Sequence, residues 1–327
     1  MTGTGSRPIR LLGAGVGAVA VAGLIALLVA PSSGGAGSGA SPASAAGTPS
    51  RPTAASSAGS SPPSSPSSPS SSSPPAAAAS STAQGPGGPA GAWREVFHDG
   101  FTGSRLDAAS WVTCYDWNNQ GCTNAGNHEL EWYQPGQVRV ADGTLTLTAQ
   151  RQATSAPDGT SYPWTSGMVS TGRQTKSLPP RQTFTYGYFS ALIKVPAQLG
   201  MFPAFWLMPQ TGSSPPEIDV VEFNGNEQTA LMTLHWADAA GTDKFSQTLY
   251  GPADFPAGFH RFAIDWEPNA ITWYIDGVAR RTVTDTAEIP KVPMEMLFTL
   301  AVGFPQAPPA DVSRAAMAIQ DVQVWQR

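Results

Sequence analysis

Three acids fall within six residues in Glu217-Ile-Asp219-Val-Val-Glu222, inside an otherwise apolar run. Carboxyl groups crowded in this way can divide nucleophilic and proton-transfer work. Burial and mutual repulsion pull their proton affinities apart, so that one stays protonated near neutral pH while another is ionised. In a plain β-strand Glu217 and Asp219 share a face and Glu222 points through the sheet, where an unpaired carboxylate is costly. One extra residue, a β-bulge at Val220–Val221, resets the parity and aligns all three acids. The outer two then lie about 13 Å apart at Cα. Side chains leaning inward can bring their carboxyls to the ~5–5.5 Å expected for retaining glycoside hydrolysis, rather than the wider inverting gap. A structural acid cluster or a calcium site at a sheet edge is the competing reading of the same residues.

The surrounding sequence supplies strands to hold such a cluster. Gln137–Ala141, Thr144–Thr148, Tyr188–Val195, Phe262–Trp266 and Ile271–Ile275 alternate apolar with polar residues, and Asp142-Gly143 and Asp276-Gly277 are hairpin signals. No long helical period intervenes, so the expectation is an all-β domain of two packed antiparallel sheets. A turn at Asn224-Gly225-Asn226 folds the next strand back on the acids. Counting from that turn puts His235 near Glu217, Thr233 on the acid face, and Met232, Leu234 and Trp236 inward.

Composition divides the chain into unlike parts. Of 18 basic and 23 acidic residues, only Arg7, Arg10 and Arg51 precede residue 92, which leaves the remainder with 15 basic against 23 acidic, net −8. All thirty Trp, Tyr and Phe lie in that remainder too. An acidic domain without a basic run repels phosphate backbones, which excludes a nucleic-acid partner. Residues 1–30 read as an export signal or signal-anchor: Arg7 and Arg10 precede the uncharged stretch Leu11–Ala30. Residues 31–91, almost wholly Ser, Pro, Ala, Gly and Thr, read as a disordered linker. The globular domain is therefore residues 92–327, either secreted or held at the outer face of a membrane. Cys114 and Cys122, the only cysteines, are spaced for a local disulfide in an oxidising compartment, worth about 2.5 kcal/mol.

The acid run resembles the bulged catalytic signature of glycoside hydrolase family 16. Other blocks resemble that family in the same order: Phe97-His-Asp-Gly-Phe101, Asn127-His-Glu-Leu-Glu-Trp-Tyr133, Tyr186-Gly-Tyr188, Pro203-Ala-Phe-Trp-Leu207, His260-Arg-Phe-Ala-Ile-Asp-Trp266 and Asp321-Val-Gln-Val-Trp325. The resemblance implies a concanavalin A-like β-jelly roll with a glycan cleft on its concave face. It implies retaining, endo-acting cleavage of β-linked polysaccharide by a monomer, with β-1,3- or mixed-linkage β-glucan as substrate. By position Glu217 is the nucleophile, Asp219 its assistant and Glu222 the acid/base, and no cofactor is required for catalysis. His235, Trp206, Asn127, Glu129 and Trp132 are candidate substrate contacts, with Tyr133 as a further aromatic. Gly143 (through its carbonyl) and Asp321 occupy the positions of a structural calcium site.

Three departures from the family pattern bear on substrate. Ser190 and Leu192 replace a Glu and an Arg expected to grip sugar, and Phe202 replaces a Trp. A galactan hydrolase or a transglycosylase of the same fold is the alternative, and a lectin-like binding module the other class. The last has no need of three aligned acids.

Overall fold

The structure, a computed structural model, describes residues 89–117 and 121–327. The export segment and nearly all of the linker lie outside the described residues. Eighteen strands follow in chain order: β1 (Arg94–Asp99), β2 (Glu131–Tyr133), β3 (Val138–Ala141), β4 (Thr144–Gln150), β5 (Thr154–Ser155), β6 (Ser161–Tyr162), β7 (Trp164–Ser166), β8 (Met168–Ser170), β9 (Gly187–Lys194), β10 (Met201–Pro209), β11 (Glu217–Glu222), β12 (Ala230–Ala237), β13 (Asp243–Tyr250), β14 (His260–Glu267), β15 (Ala270–Ile275), β16 (Val278–Val283), β17 (Met294–Val302) and β18 (Arg314–Gln326). The helices among the described residues are three short 3-10 turns, and none is long and apolar enough to cross a membrane.

Two sheets pack face to face. The larger runs β16-β15-β14-β9-β18-β4-β7-β2, with β1 beside β18 and β3 beside β4; the smaller runs β13-β12-β11-β10-β17-β8. All pairings are antiparallel except β2 with β7, which is parallel. Alternation decides what goes between the sheets. On β15, Ile271, Trp273 and Ile275 are buried in the core while Thr272 and Tyr274 face outward. From the smaller sheet, Phe205, Leu207, Ile218, Met232 and Leu234 meet them, each fully buried. Burying each such side chain stabilises by about 1.5–3 kcal/mol relative to exposure. The start of the domain is tied down before β1, where the Trp93 indole donates to the Pro89 carbonyl at 2.8 Å.

The outward face of the larger sheet corrects two expectations. On β9, Phe189, Ala191 and Ile193 point into the core, so Ser190 and Leu192 point to the opposite face. The Ser190 hydroxyl accepts from Arg261 Nη1 at 2.8 Å, and Ser190 and Leu192 pair in register with Ala263 and Arg261 of β14. They lie on the other sheet from the acids and face away from it.

At the expected calcium position the Asp321 carboxylate already has protein partners. Asp321 Oδ2 receives Arg261 Nη2 at 2.7 Å, while its Oδ1 meets His98 Nε2 at 3.2 Å and Gln323 Nε2 at 2.9 Å. Both carboxylate oxygens are thus engaged, and a guanidinium already supplies the positive charge. Gly143 remains a turn residue with φ +74°, as the Asp142-Gly143 hairpin requires. These neighbours do not fit a divalent ion. Chelation should therefore leave the melting temperature unchanged to within about 1 °C, whereas Arg261→Ala should lower it by about 1–4 °C, both measurable by calorimetry.

Candidate active site

The acids sit where the smaller sheet breaks register. Against β12, Glu217 pairs with His235, Ile218 with Leu234 and Asp219 with Thr233, but Glu222 pairs with Leu231. Three steps on β11 thus oppose two on β12. Against β10, Trp206 pairs with Asp219 and Phe205 with Val221, so the additional residue is Val220. Both Val220 and Val221 lie in the core, 2% and 1% exposed. Burying two consecutive valines lets outward alternation resume at Glu222, and all three acids share the cleft face.

A buried hydrogen bond from the other sheet fastens the bulge. Trp273 Nε1 on β15 donates to the Asp219 carbonyl at 2.8 Å. The Arg281 guanidinium on β16 lies 4.5 Å from the Trp273 ring centre and donates to the carbonyls of Met232 and Ser246 on β12 and β13. Side-chain donors of the larger sheet thereby reach main-chain oxygens of three successive strands of the smaller one.

Electrostatics sets the acids apart. Burial, then the Asp219 charge, raises Glu217 to about 7. Burial, with the charges of Asp219 and Glu217, holds Glu222 well above the ordinary carboxyl range, despite a 3.3 Å hydrogen bond from Thr233 Oγ1. His235 Nε2 lies 3.2 Å from Asp219 Oδ2. Burial pushes this imidazole down, but its bond to Asp219 and the charges of Asp219, Glu217 and Glu222 together outweigh that and raise it to about 9. A cationic His235 at neutral pH offsets part of the cluster's charge. Glu217, Asp219 and His235 offer three ligand atoms within 4.8 Å of one another, but the same contacts are explained by His235 serving as counter-charge.

The pocket around the acids brings together Asn127, Glu129 and Trp206 as expected. Trp206 alternates with core-facing Phe205 and Leu207, and its ring lies 6.2 Å from Tyr115. Asn127 Nδ2 donates to Glu129 Oε1 at 3.1 Å, and the Asn124 amide to Oε2 at 3.3 Å. Trp132 and His235 are not among the residues lining this pocket: Trp132 faces Tyr162, with ring centres 5.4 Å apart, and His235 meets the acids through Asp219. Strand parity on β2 explains the first, because Trp132 points opposite to Glu131 and Tyr133. Tyr133 is buried beneath the floor against Tyr115.

Tyr115, Asn124, Phe202 and Thr299 also line the pocket. Phe202 was noted only as a departure, and its ring lies 5.1 Å from Phe304. Tyr115 and Asn124 were missed. Their one sequence signal is proximity to Cys114 and Cys122, whose disulfide closes the loop carrying Tyr115. Glu131 was missed as well. Burial raises both Glu129 and Glu131, which lie within hydrogen-bonding reach, and Glu131 Oε2 accepts the Val302 amide at 2.8 Å.

Residues 125–316 match the family model for glycosyl hydrolases family 16. The chain belongs to that family. Two curated relatives from Rhizobium meliloti (strain 1021) are similar to it: endo-1,3-1,4-beta-glycanase EglC, 35% identical over 71% of this chain and 51% of its own, and endo-1,3-1,4-beta-glycanase ExsH, 32% identical over 66% and 48%. The chain thus spans about half the length of each. Among solved structures, the endo-beta-1,3-glucanase from Pyrococcus furiosus superposes with a TM-score of 0.59 at 28% identity, over 72% of this chain and 94% of that one.

Trp273→Phe keeps a ring in place but removes the buried donor to the Asp219 carbonyl, at a cost of about 0.5–1.5 kcal/mol. A fall in kcat larger than the change in KM is expected, measured on any substrate the protein cleaves. Glu217 also generates a pH signature in stability. Its folded value of about 7 lies above the ordinary 4.5, so between those limits the native chain keeps a proton that the unfolded chain releases. The associated destabilisation is absent below pH ~4.5 and complete above ~7. Glu217→Gln should therefore raise the melting temperature relative to the parent at pH 8 and not at pH 4.

Proposed function

We propose that the domain is a retaining endo-glycoside hydrolase acting on β-1,3- or mixed-linkage β-glucan. The observation that carries this reading is the register shift at Val220, which sets Glu217, Asp219 and Glu222 on one face of a pocket floored by Trp206. In the first step the Glu217 carboxylate attacks the anomeric carbon as the glycosidic bond breaks, and Glu222 gives its proton to the departing oxygen. In the second, Glu222 takes a proton from water, which displaces Glu217 and restores the original configuration. Burial and the Asp219 charge raise both Glu217 and Glu222, which favours keeping a proton in the cluster for the departing oxygen. Asp219 assists Glu217 and is held by His235.

The names of the relatives support β-glucan as substrate class. With Ser190 and Leu192 on the far sheet, two of the three departures no longer bear on the cleft; Phe202 does. The same proposal places the domain outside the cytoplasm as a monomer, exported or anchored through residues 1–30. The Cys114–Cys122 bond supports an oxidising compartment.

A panel of β-glucans and galactans, with product sizes and anomeric form followed by NMR, tests the proposal. Internal cleavage of a β-glucan to products that first appear as the β-anomer is expected. Glu217→Ser and Glu222→Gln should each lower kcat by about 10³-fold or more. An inverted first product contradicts the mechanism, cleavage of galactan alone reassigns the substrate, and inertness toward every glycan leaves a binding module.

A further inference from the structure

Three rows of side chains run from the acids to the free edge of the smaller sheet. Register aligns Glu217 with His235 and Phe245, Asp219 with Thr233 and Gln247, and Glu222 with Leu231 and Leu249. Side chains directly opposite one another in an antiparallel pair share a face, so Phe245, Gln247 and Leu249 of β13 continue the floor of the cleft. Phe245 is 50% exposed and Leu249 55%. One exposed apolar side chain needs no explanation. Here two flank a polar residue on the face that bears the acids, and the strand that carries them is the last of its sheet.

The middle residue is tied to the chemistry. Gln247 Nε2 donates to Thr233 Oγ1 at 3.0 Å, and Thr233 Oγ1 in turn donates to Glu222 at 3.3 Å. The Phe245 ring lies 5.9 Å from the His235 ring, tilted by 32°. Strand spacings of ~5 Å place β13 about 10 Å from the acid-bearing strand, within reach of a glycan that continues past the cleaved bond.

We propose that β13 forms a sugar-binding subsite, with Phe245 as the platform for a pyranose ring beyond the reacting one and Leu249 as the opposite wall. The inference rests on the hydrolase reading above and adds to it the place where the substrate chain leaves the acids. A pyranose presents an apolar C–H face that packs on an aromatic ring and hydroxyl edges that need polar partners. The sequence Phe-Ser-Gln-Thr-Leu at 245–249 offers both on one face, because its second and fourth residues turn inward, where the Ser246 hydroxyl accepts from Arg281.

Steady-state kinetics on whichever β-glucan the parent cleaves, with product sizes resolved, tests this in Phe245→Ala and Phe245→Trp. The Ala variant should raise KM by about three- to tenfold, with a smaller effect on kcat, and shift the distribution of oligosaccharide lengths. Phe245→Trp should restore KM and pattern. A merely structural Phe245 would lower stability without changing product lengths. Equal KM and products for parent and Phe245→Ala overturn the subsite and leave the hydrolase reading standing. A parent that cleaves no glycan overturns both. A parent dimer that Phe245→Ala dissociates at unchanged KM shows that the strip binds a second copy, and also overturns the subsite.

Discussion

One additional residue between Asp219 and Glu222 decides which side of the smaller sheet carries the third acid. Strand parity is strict, so no side-chain rotation could bring Glu222 from the core to the cleft. The sheet accepts the disruption because Val220 and Val221 can both be buried, where they contribute apolar contact rather than losing it. It also accepts it because Trp273 reaches across from the larger sheet to the Asp219 carbonyl. A local irregularity is thereby anchored by the packing of the whole sandwich.

The acid cluster is costly, and its neighbours show how that cost is contained. Burial disfavours ionisation at Glu217 and Glu222 in the same direction, and the Asp219 charge adds to it at both. His235 is placed by register opposite Glu217 and binds Asp219, so its charge counts against both. Thr233, fixed by Gln247, gives Glu222 a donor. The Glu129–Glu131 pair repeats the pattern a short distance away: burial raises both carboxyls, Glu131 further through the Glu129 charge, and the Asn127 side chain and the Asn124 and Val302 amides donate to them.

The sequence-based expectations succeeded and failed along a physical line. Strict alternation is local, so the strands, the inward course of Met232 and Leu234, and the pairing of His235 with Glu217 could be counted from turns and parity. The bulge was legible because three acids in an apolar strand have no tolerable arrangement without it. Trp132 failed because parity on β2 depends on where that strand joins the sheet, at a parallel pairing no turn announces. Ser190 and Leu192 failed for a similar reason: their strand belongs to the sheet away from the cleft. The partner of Asp321 was equally out of reach, because Arg261 lies sixty residues from it in sequence yet bonds its carboxylate.

The amino-acid sequence alone determined the all-β class, the acid trio with its kink, the disulfide and the family, since each is written in residue types within one strand, one loop or one ordered series of blocks. Tertiary structure alone decided the surroundings of those acids: Trp273 as the clamp, Tyr115 and Asn124 at the pocket, and Phe245 with Leu249 at the open edge. Those contacts join strands distant along the chain. Which of them meet depends on how two twisted sheets close on a common core, and periodicity within a single strand carries no information about that.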